Sequence, residues 1–152
     1  MAARPPRASA EPGAPFLGDP CLGDLLAAAA EARANAYAPY SQFPVGAAIL
    51  DEDGRIFAGC NVENASYPVG TCAEAGAIAA MVAGGGRRLR AILILGGEAQ
   101  AGLAPCGACR QRIVEFALPG ALVHCAGPGG IGRTVEAADL LPHSFAARDL
   151  RP

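Results

Sequence analysis

The sequence predicts an α/β fold, a sheet with helices packed on it, and three observations carry that prediction. Helical and extended segments alternate in the order α-β-β-α-β-α-β-β-α, the pattern of a layered domain. Ala91-Ile92-Leu93-Ile94-Leu95 is an unbroken apolar run, as expected of a strand buried on both faces. Proline and glycine stand where elements should begin and end.

The elements follow in order. Residues 1–18 are rich in Pro, Ala and Gly and lack a hydrophobic period, so they are expected to form a disordered N-terminal extension. Residues 19–152 then make a single domain. Asp19-Pro20 reads as an N-cap and first helical position, and the alanine-rich run 21–37 as a helix stopped near Pro39. Residues 40–44 are a loop, 45–50 a strand, 51–54 a turn and 55–62 the hairpin partner. A polar loop at 63–70 leads to a helix over 72–83, ended by Gly84-Gly85-Gly86. After the apolar strand at 91–95, Pro105 opens a helix running to about residue 117. Residues 121–125 and 133–135 read as the fourth and fifth strands, and 137–141 as a short last helix.

Composition narrows the function. Of the 152 residues 52% are apolar and 17% charged, which gives a globular chain with a real core. The net charge of −2 and the absence of a long Lys/Arg run argue against a nucleic-acid partner. No segment approaches the ~18 apolar residues of a membrane span. Residues 1–20 lack the apolar stretch of a secretory signal, so a cytoplasmic protein is expected. In that setting Cys106-Gly107-Ala108-Cys109 reads as metal-binding or redox rather than as half of a disulfide framework.

Cys72 and the pair Cys106 and Cys109 are expected at the first turns of two helices. Helix N-termini carry unpaired N–H groups and a positive dipole end, which stabilise thiolates. Three thiolates with no obvious fourth ligand suit a zinc ion with one open position, and Glu74 is close enough to move the protons of a water there. Bland readings compete. A redox dithiol would look much the same, and Thr71-Cys72-Ala73-Glu74 also fits a helix capping box. The combination Cys-x-Glu … Pro-Cys-x-x-Cys, however, is the cysteine form of the zinc-deaminase signature.

On these residues the chain resembles the cytidine deaminases. The resemblance includes Tyr37-Ala38-Pro39-Tyr40-Ser41-Gln42-Phe43-Pro44-Val45-Gly46-Ala47 and Gly59-Cys60-Asn61-Val62-Glu63-Asn64-Ala65-Ser66-Tyr67. It continues through both cysteine motifs to Leu140-Leu141-Pro142-His143-Ser144-Phe145, and so covers about residues 20–146. It implies a three-layer α/β/α sandwich around a mixed five-stranded sheet. It also implies one zinc per subunit on Cys72, Cys106 and Cys109, with Glu74 as the proton shuttle. By the same resemblance Asn61 and Glu63 bind the ribose, and Ala65, Ser66, Tyr67 and Ala73 line the pocket. Phe43 packs on the pyrimidine and Phe145 closes a neighbouring subunit's pocket in a homotetramer. The implied reaction is hydrolytic deamination of cytidine and deoxycytidine, a pyrimidine-salvage step. Zinc would lower the pKa of its water from about 15.7 to about 7, and that water would attack C4.

One departure stands out. Many short-chain members have Arg directly after Cys-Ala-Glu, where this chain has Ala75. The helix N-termini or Arg110 must then offset the thiolate charge. Cys21, Cys60 and Cys125 read as small apolar thiols, and His124 and His143 as structural or surface residues. The alternatives to a cytidine deaminase are a deaminase of another aminopyrimidine, a closed structural zinc module with Cys60 as fourth ligand, and the redox dithiol.

Overall fold

The computed structural model describes residues 20–98 and 102–150. The extension expected at 1–18 and the cap expected at Asp19 lie outside the described residues.

Helix α1 spans Pro20–Ala34, strand β1 Val45–Asp51, strand β2 Ile56–Cys60, helix α2 Ala73–Ala83 and strand β3 Leu89–Gly96. Helix α3 spans Gly107–Phe116, strand β4 Ala117–Gly127 and strand β5 Gly130–Glu136. The strands form one sheet in the order β2-β1-β3-β4-β5. Only β3 and β4 pair in parallel, so the sheet is mixed.

The apolar run places β3 at the centre. Ile92, Leu93 and Ile94 are wholly buried, each stabilising the fold by about 1.5–3 kcal/mol. Ile92 and Ile94 join Val45, Ala47, Ile49 and Val123 under α2 and α3, through Ala77, Ile78, Met81 and Ile113. Ala91 and Leu93 join Ala48 and Leu50 on the opposite face, under Leu25 and Ala29 of α1. The result is the expected three layers.

Several boundaries differ from the sequence reading. The first helix ends at Ala34, not residue 37, because Tyr37 is drawn into backbone pairing: its N–H donates to Asn61 O (3.0 Å) and its carbonyl accepts from Glu63 N–H (2.8 Å). β4 begins directly where α3 ends, so the strand is longer than the apolar pattern indicates. The short helix expected over 137–141 is a 3-10 turn, Ala137–Leu140, and a second 3-10 turn, Ala147–Leu150, follows it.

The register explains where a site must form. Val45, at the start of β1, lies opposite Gly96 at the end of β3, and Gly46 lies opposite Cys60 at the end of β2. The segments leading to α2 and α3 therefore leave the sheet at the same edge. This is the carboxyl edge of the parallel pair, where open α/β sheets bind ligands. Close packing keeps α2 there: a side chain at Gly59 would run into the backbone of Ala77 and Gly76.

Candidate active site

Two helix starts build the centre. Cys72 is the N-cap of α2 and Cys106 the N-cap of α3, both with extended backbone, and Cys109 is the third residue of α3, in its first turn. The three sulfurs lie within 4.8 Å of one another. Cys109 is buried, Cys72 half-buried and Cys106 exposed, so the cluster opens on one side. Among the described residues the cluster has three members. Cys60 does not join it; its thiol points to the Asn35 carbonyl at 3.7 Å.

The electrostatics of the bare cluster call for a cation. Burial raises the Cys109 thiol, and the adjacent Glu74 carboxylate raises it further through its charge and a hydrogen bond accepted from the thiol. Burial likewise raises Cys72, as do the charges of Cys106 and Glu74. Cys106 is also opposed by burial, but backbone N–H groups of Cys109 and Ala108 aim at its sulfur. With the two neighbouring thiols they bring it below its ordinary value. Three soft donors that cannot all ionise beside a carboxylate fit a divalent cation of zinc type, which favours the thiolate form of each. Arg110 serves the backbone: Nε donates to Pro105 O at 3.0 Å and Nη1 to Leu140 O at 3.4 Å. N–H groups at the start of α3 thus meet the Cys106 sulfur directly, where Ala75 offers no charge.

The capping-box reading of Glu74 fails. The helix is capped by Cys72, so Glu74 is its second residue rather than its third, and the Thr71 N–H already donates to Val62 O at 2.9 Å. Glu74 is 5% exposed and faces the cluster. A buried carboxylate that touches a metal ligand without joining the ligand group can exchange protons with a molecule bound there.

The neighbouring loops hold the other predicted residues. Glu63 Oε2 accepts from Tyr40 N–H (2.9 Å) and Ser41 N–H (3.1 Å). A further bond with the Ser41 side chain, together with those N–H groups, outweighs partial desolvation and lowers its pKa. Asn61 spans two backbone groups: Oδ1 accepts from Val45 N–H at 2.8 Å and Nδ2 donates to Phe43 O at 2.9 Å. One lone pair and one N–H of that amide remain for another partner.

A cleft of about 310 Å³ is lined by Tyr40, Ser41, Glu63, Asn64, Tyr67 and Gly70. Tyr40 and Tyr67 lean together across it, ring centres 5.9 Å apart. Ala65 and Ser66 are exposed in the same loop, where Ser66 N–H donates to Asn64 Oδ1 at 2.8 Å. Ala73 is buried at the start of α2. Phe43 lies at the same edge with its ring over Gly97, which has φ of 70° and where a Cβ would sit 3.2 Å from Phe43 Cζ. Phe145 is apart from the cleft lining, its ring exposed. Tyr40 and Ser41 carried no role in the sequence reading, although both fall inside the first segment of the resemblance, Tyr37 to Ala47. Only the fold brings their N–H groups to a carboxylate 22 and 23 residues away. A second, larger cavity of about 410 Å³ lies against the C-terminal part of α1 and has no Cys, His, Asp or Glu in its lining.

A layered α/β sheet with a three-thiol centre at its carboxyl edge, open on one side beside a buried carboxylate, has the parts of a metal-dependent hydrolase. Comparison with known proteins sharpens this. The family model for the cytidine and deoxycytidylate deaminase zinc-binding region matches residues 21–125. The cytidine deaminase of Sporosarcina psychrophila is 42% identical over 126 residues, which span 83% of this chain and 92% of the relative. That of Mycobacterium tuberculosis is 44% identical over 123 residues, 80% and 87% of the two chains. The crystal structure of cytidine deaminase from Burkholderia pseudomallei superposes with a TM-score of 0.75 at 46% identity, covering 81% of this chain and 98% of that one. The chain belongs to the cytidine and deoxycytidylate deaminase family, and zinc is the metal its cysteine group could hold.

Proposed function

We propose that this protein hydrolyses cytidine and deoxycytidine to uridine and deoxyuridine with release of ammonia. The observation that carries the proposal is Glu74, buried against the three-sulfur cluster without being one of its donors. Zinc held by Cys72, Cys106 and Cys109 would supply an acidified water at the open side of the cluster. With such a water in place, Glu74 would take a proton from it and deliver it to ring N3 as the oxygen adds to C4. Glu74 then takes the proton of the new C4 hydroxyl and gives it to the amino group. The C4–N bond breaks, ammonia leaves, and a carbonyl remains at C4. One carboxylate is base and then acid, so it must reach both water and ring.

The pocket assignments complete the reading. Glu63 keeps carboxylate lone pairs for a sugar hydroxyl, and Asn61 keeps one N–H and one lone pair. Phe43 packs on the pyrimidine, and Ala65, Ser66, Tyr67 and the backbone of Ala73 shape the walls. Phe145 closes the pocket of a neighbouring subunit in a homotetramer. The exposed aromatic side chains Tyr37, Tyr40, Phe43 and Tyr67 at this edge support such an assembly. Residues 19–152 act as one domain, in the cytoplasm, in pyrimidine salvage. Glu63 is the charged group of the described cleft lining, which suits a nucleoside and disfavours a 5′-phosphate.

An ultraviolet assay on cytidine, deoxycytidine, free cytosine and deoxycytidylate tests the substrate. Turnover is expected with the two nucleosides; turnover of deoxycytidylate alone refutes the nucleoside reading. Glu74→Gln should keep zinc and fold but lower kcat by about 10²–10⁴. Unchanged turnover would remove Glu74 from the mechanism.

A further inference from the structure

The C-terminal segment is attached to the metal-ligand helix in a way the deamination steps leave unused. Arg110 and Gln111 follow Cys109 directly on α3. Arg110 Nη1 donates to Leu140 O at 3.4 Å, and Gln111 Nε2 donates to Phe145 O at 2.9 Å. Between these anchors the chain turns at His143, whose φ of 60° is a left-handed conformation that a non-glycine residue rarely adopts. Beyond them, Ala146 N–H donates to Asp149 Oδ2 and Asp149 N–H to Ala146 O, each at 2.8 Å. Residues 140–145 thus form a strap pinned at both ends to the helix that carries Cys109. Phe145 as a residue is nevertheless 58% exposed. The backbone is held while the side chain is presented.

We infer that Gln111 is a positioning residue. Its amide fixes the Phe145 backbone so that the ring keeps a set place relative to the cysteine end of α3. The inference rests on the reading of Phe145 as a pocket-closing side chain. Untethered, the ring would have to be ordered at each binding event, which weakens binding without touching the proton transfers of Glu74. Arg110 cannot replace this bond, because its own anchors are the carbonyls of Pro105 and Leu140.

The chain has no tryptophan, so Phe145→Trp places a single indole on the strap. In the zinc-loaded full-length protein, adding Gln111→Leu should make that indole less anisotropic and more easily quenched by acrylamide. With Phe145 in place, Gln111→Leu should raise KM for cytidine about fivefold, the loss of one ordinary hydrogen bond, with kcat and zinc content unchanged. Gln111→Lys, which restores an N–H donor, should recover most of that KM. In a Phe145→Ala background the Gln111→Leu change should no longer move KM. An indole indifferent to Gln111→Leu overturns the tether. A KM effect that persists without the ring overturns the action through Phe145. If Phe145→Ala alone leaves KM unaltered, the pocket role of Phe145 fails and the positioning role with it, while the indole signal still reports the tether separately.

Discussion

Asn61 should be a structural clamp as well as a sugar ligand, and its replacement separates the two roles. Its side chain makes two hydrogen bonds of 2.8 and 2.9 Å to the backbone of Val45 and Phe43. Asn61→Ala removes both and leaves the amide of Val45, a 9% exposed residue, without that acceptor. Two lost bonds at about 1 kcal/mol each, with up to ~2 kcal/mol for an unsatisfied buried N–H, give a loss of about 2–4 kcal/mol. Asn61→Asp keeps the acceptor for Val45 but turns an oxygen toward the Phe43 carbonyl, so about 1–2 kcal/mol should be lost. Urea unfolding of the zinc-loaded protein at one fixed concentration measures both, since metal and assembly shift apparent stability by mass action. KM for cytidine should rise in both variants, because Phe43 is freed and the sugar loses the Asn61 N–H. A cost below about 0.5 kcal/mol for Asn61→Ala, the range of an ordinary surface change, refutes the clamp.

Two other perturbations follow from the structure. Gly59→Ala would drive a Cβ into the Ala77 and Gly76 backbone and lift α2 from β2; a loss of at least about 1–3 kcal/mol and a lower zinc content per chain are expected, and wild-type values of both would refute it. His124 is buried with Nδ1 2.9 Å from Thr134 Oγ1 and Nε2 without a hydrogen-bond partner, and burial lowers its pKa. The unfolded chain, near the ordinary histidine value of about 6.5, therefore takes up the proton first. The His124 contribution is complete above that pH and is lost as pH falls toward the lowered folded value, with a slope of at most about 1.4 kcal/mol per pH unit. Subtracting the stability–pH curve of His124→Gln from that of the wild type should isolate this slope, and a flat difference below pH 6.5 would contradict it.

Much of the fold was legible because it rests on local signals. The run 91–95 could hardly be other than a central strand, and the glycines after residue 83 mark a helix end there. The cysteine spacing likewise announced a metal centre. Boundaries were less legible where a long-range partner intervened. Tyr37 has helical neighbours but leaves the helix to pair with Asn61 and Glu63. Thr71 has the sequence of a capping residue, yet Val62 already takes its N–H.

By itself the sequence determined the layered architecture, the three sulfur donors and the carboxylate beside them. Periodicity, punctuation and motif spacing act over a few residues, and those features need nothing more. Only the tertiary structure decided which side chains meet. β-Sheet register brings the end of β2 to the start of β1, and so sets Asn61 against Phe43 and Val45 and Glu63 against Tyr40 and Ser41. The fold of the C-terminal segment over α3 ties Phe145 to Gln111 across 34 residues. A hydrogen bond depends on ångström distances between groups that the chain separates by tens of residues, and no local pattern specifies those distances.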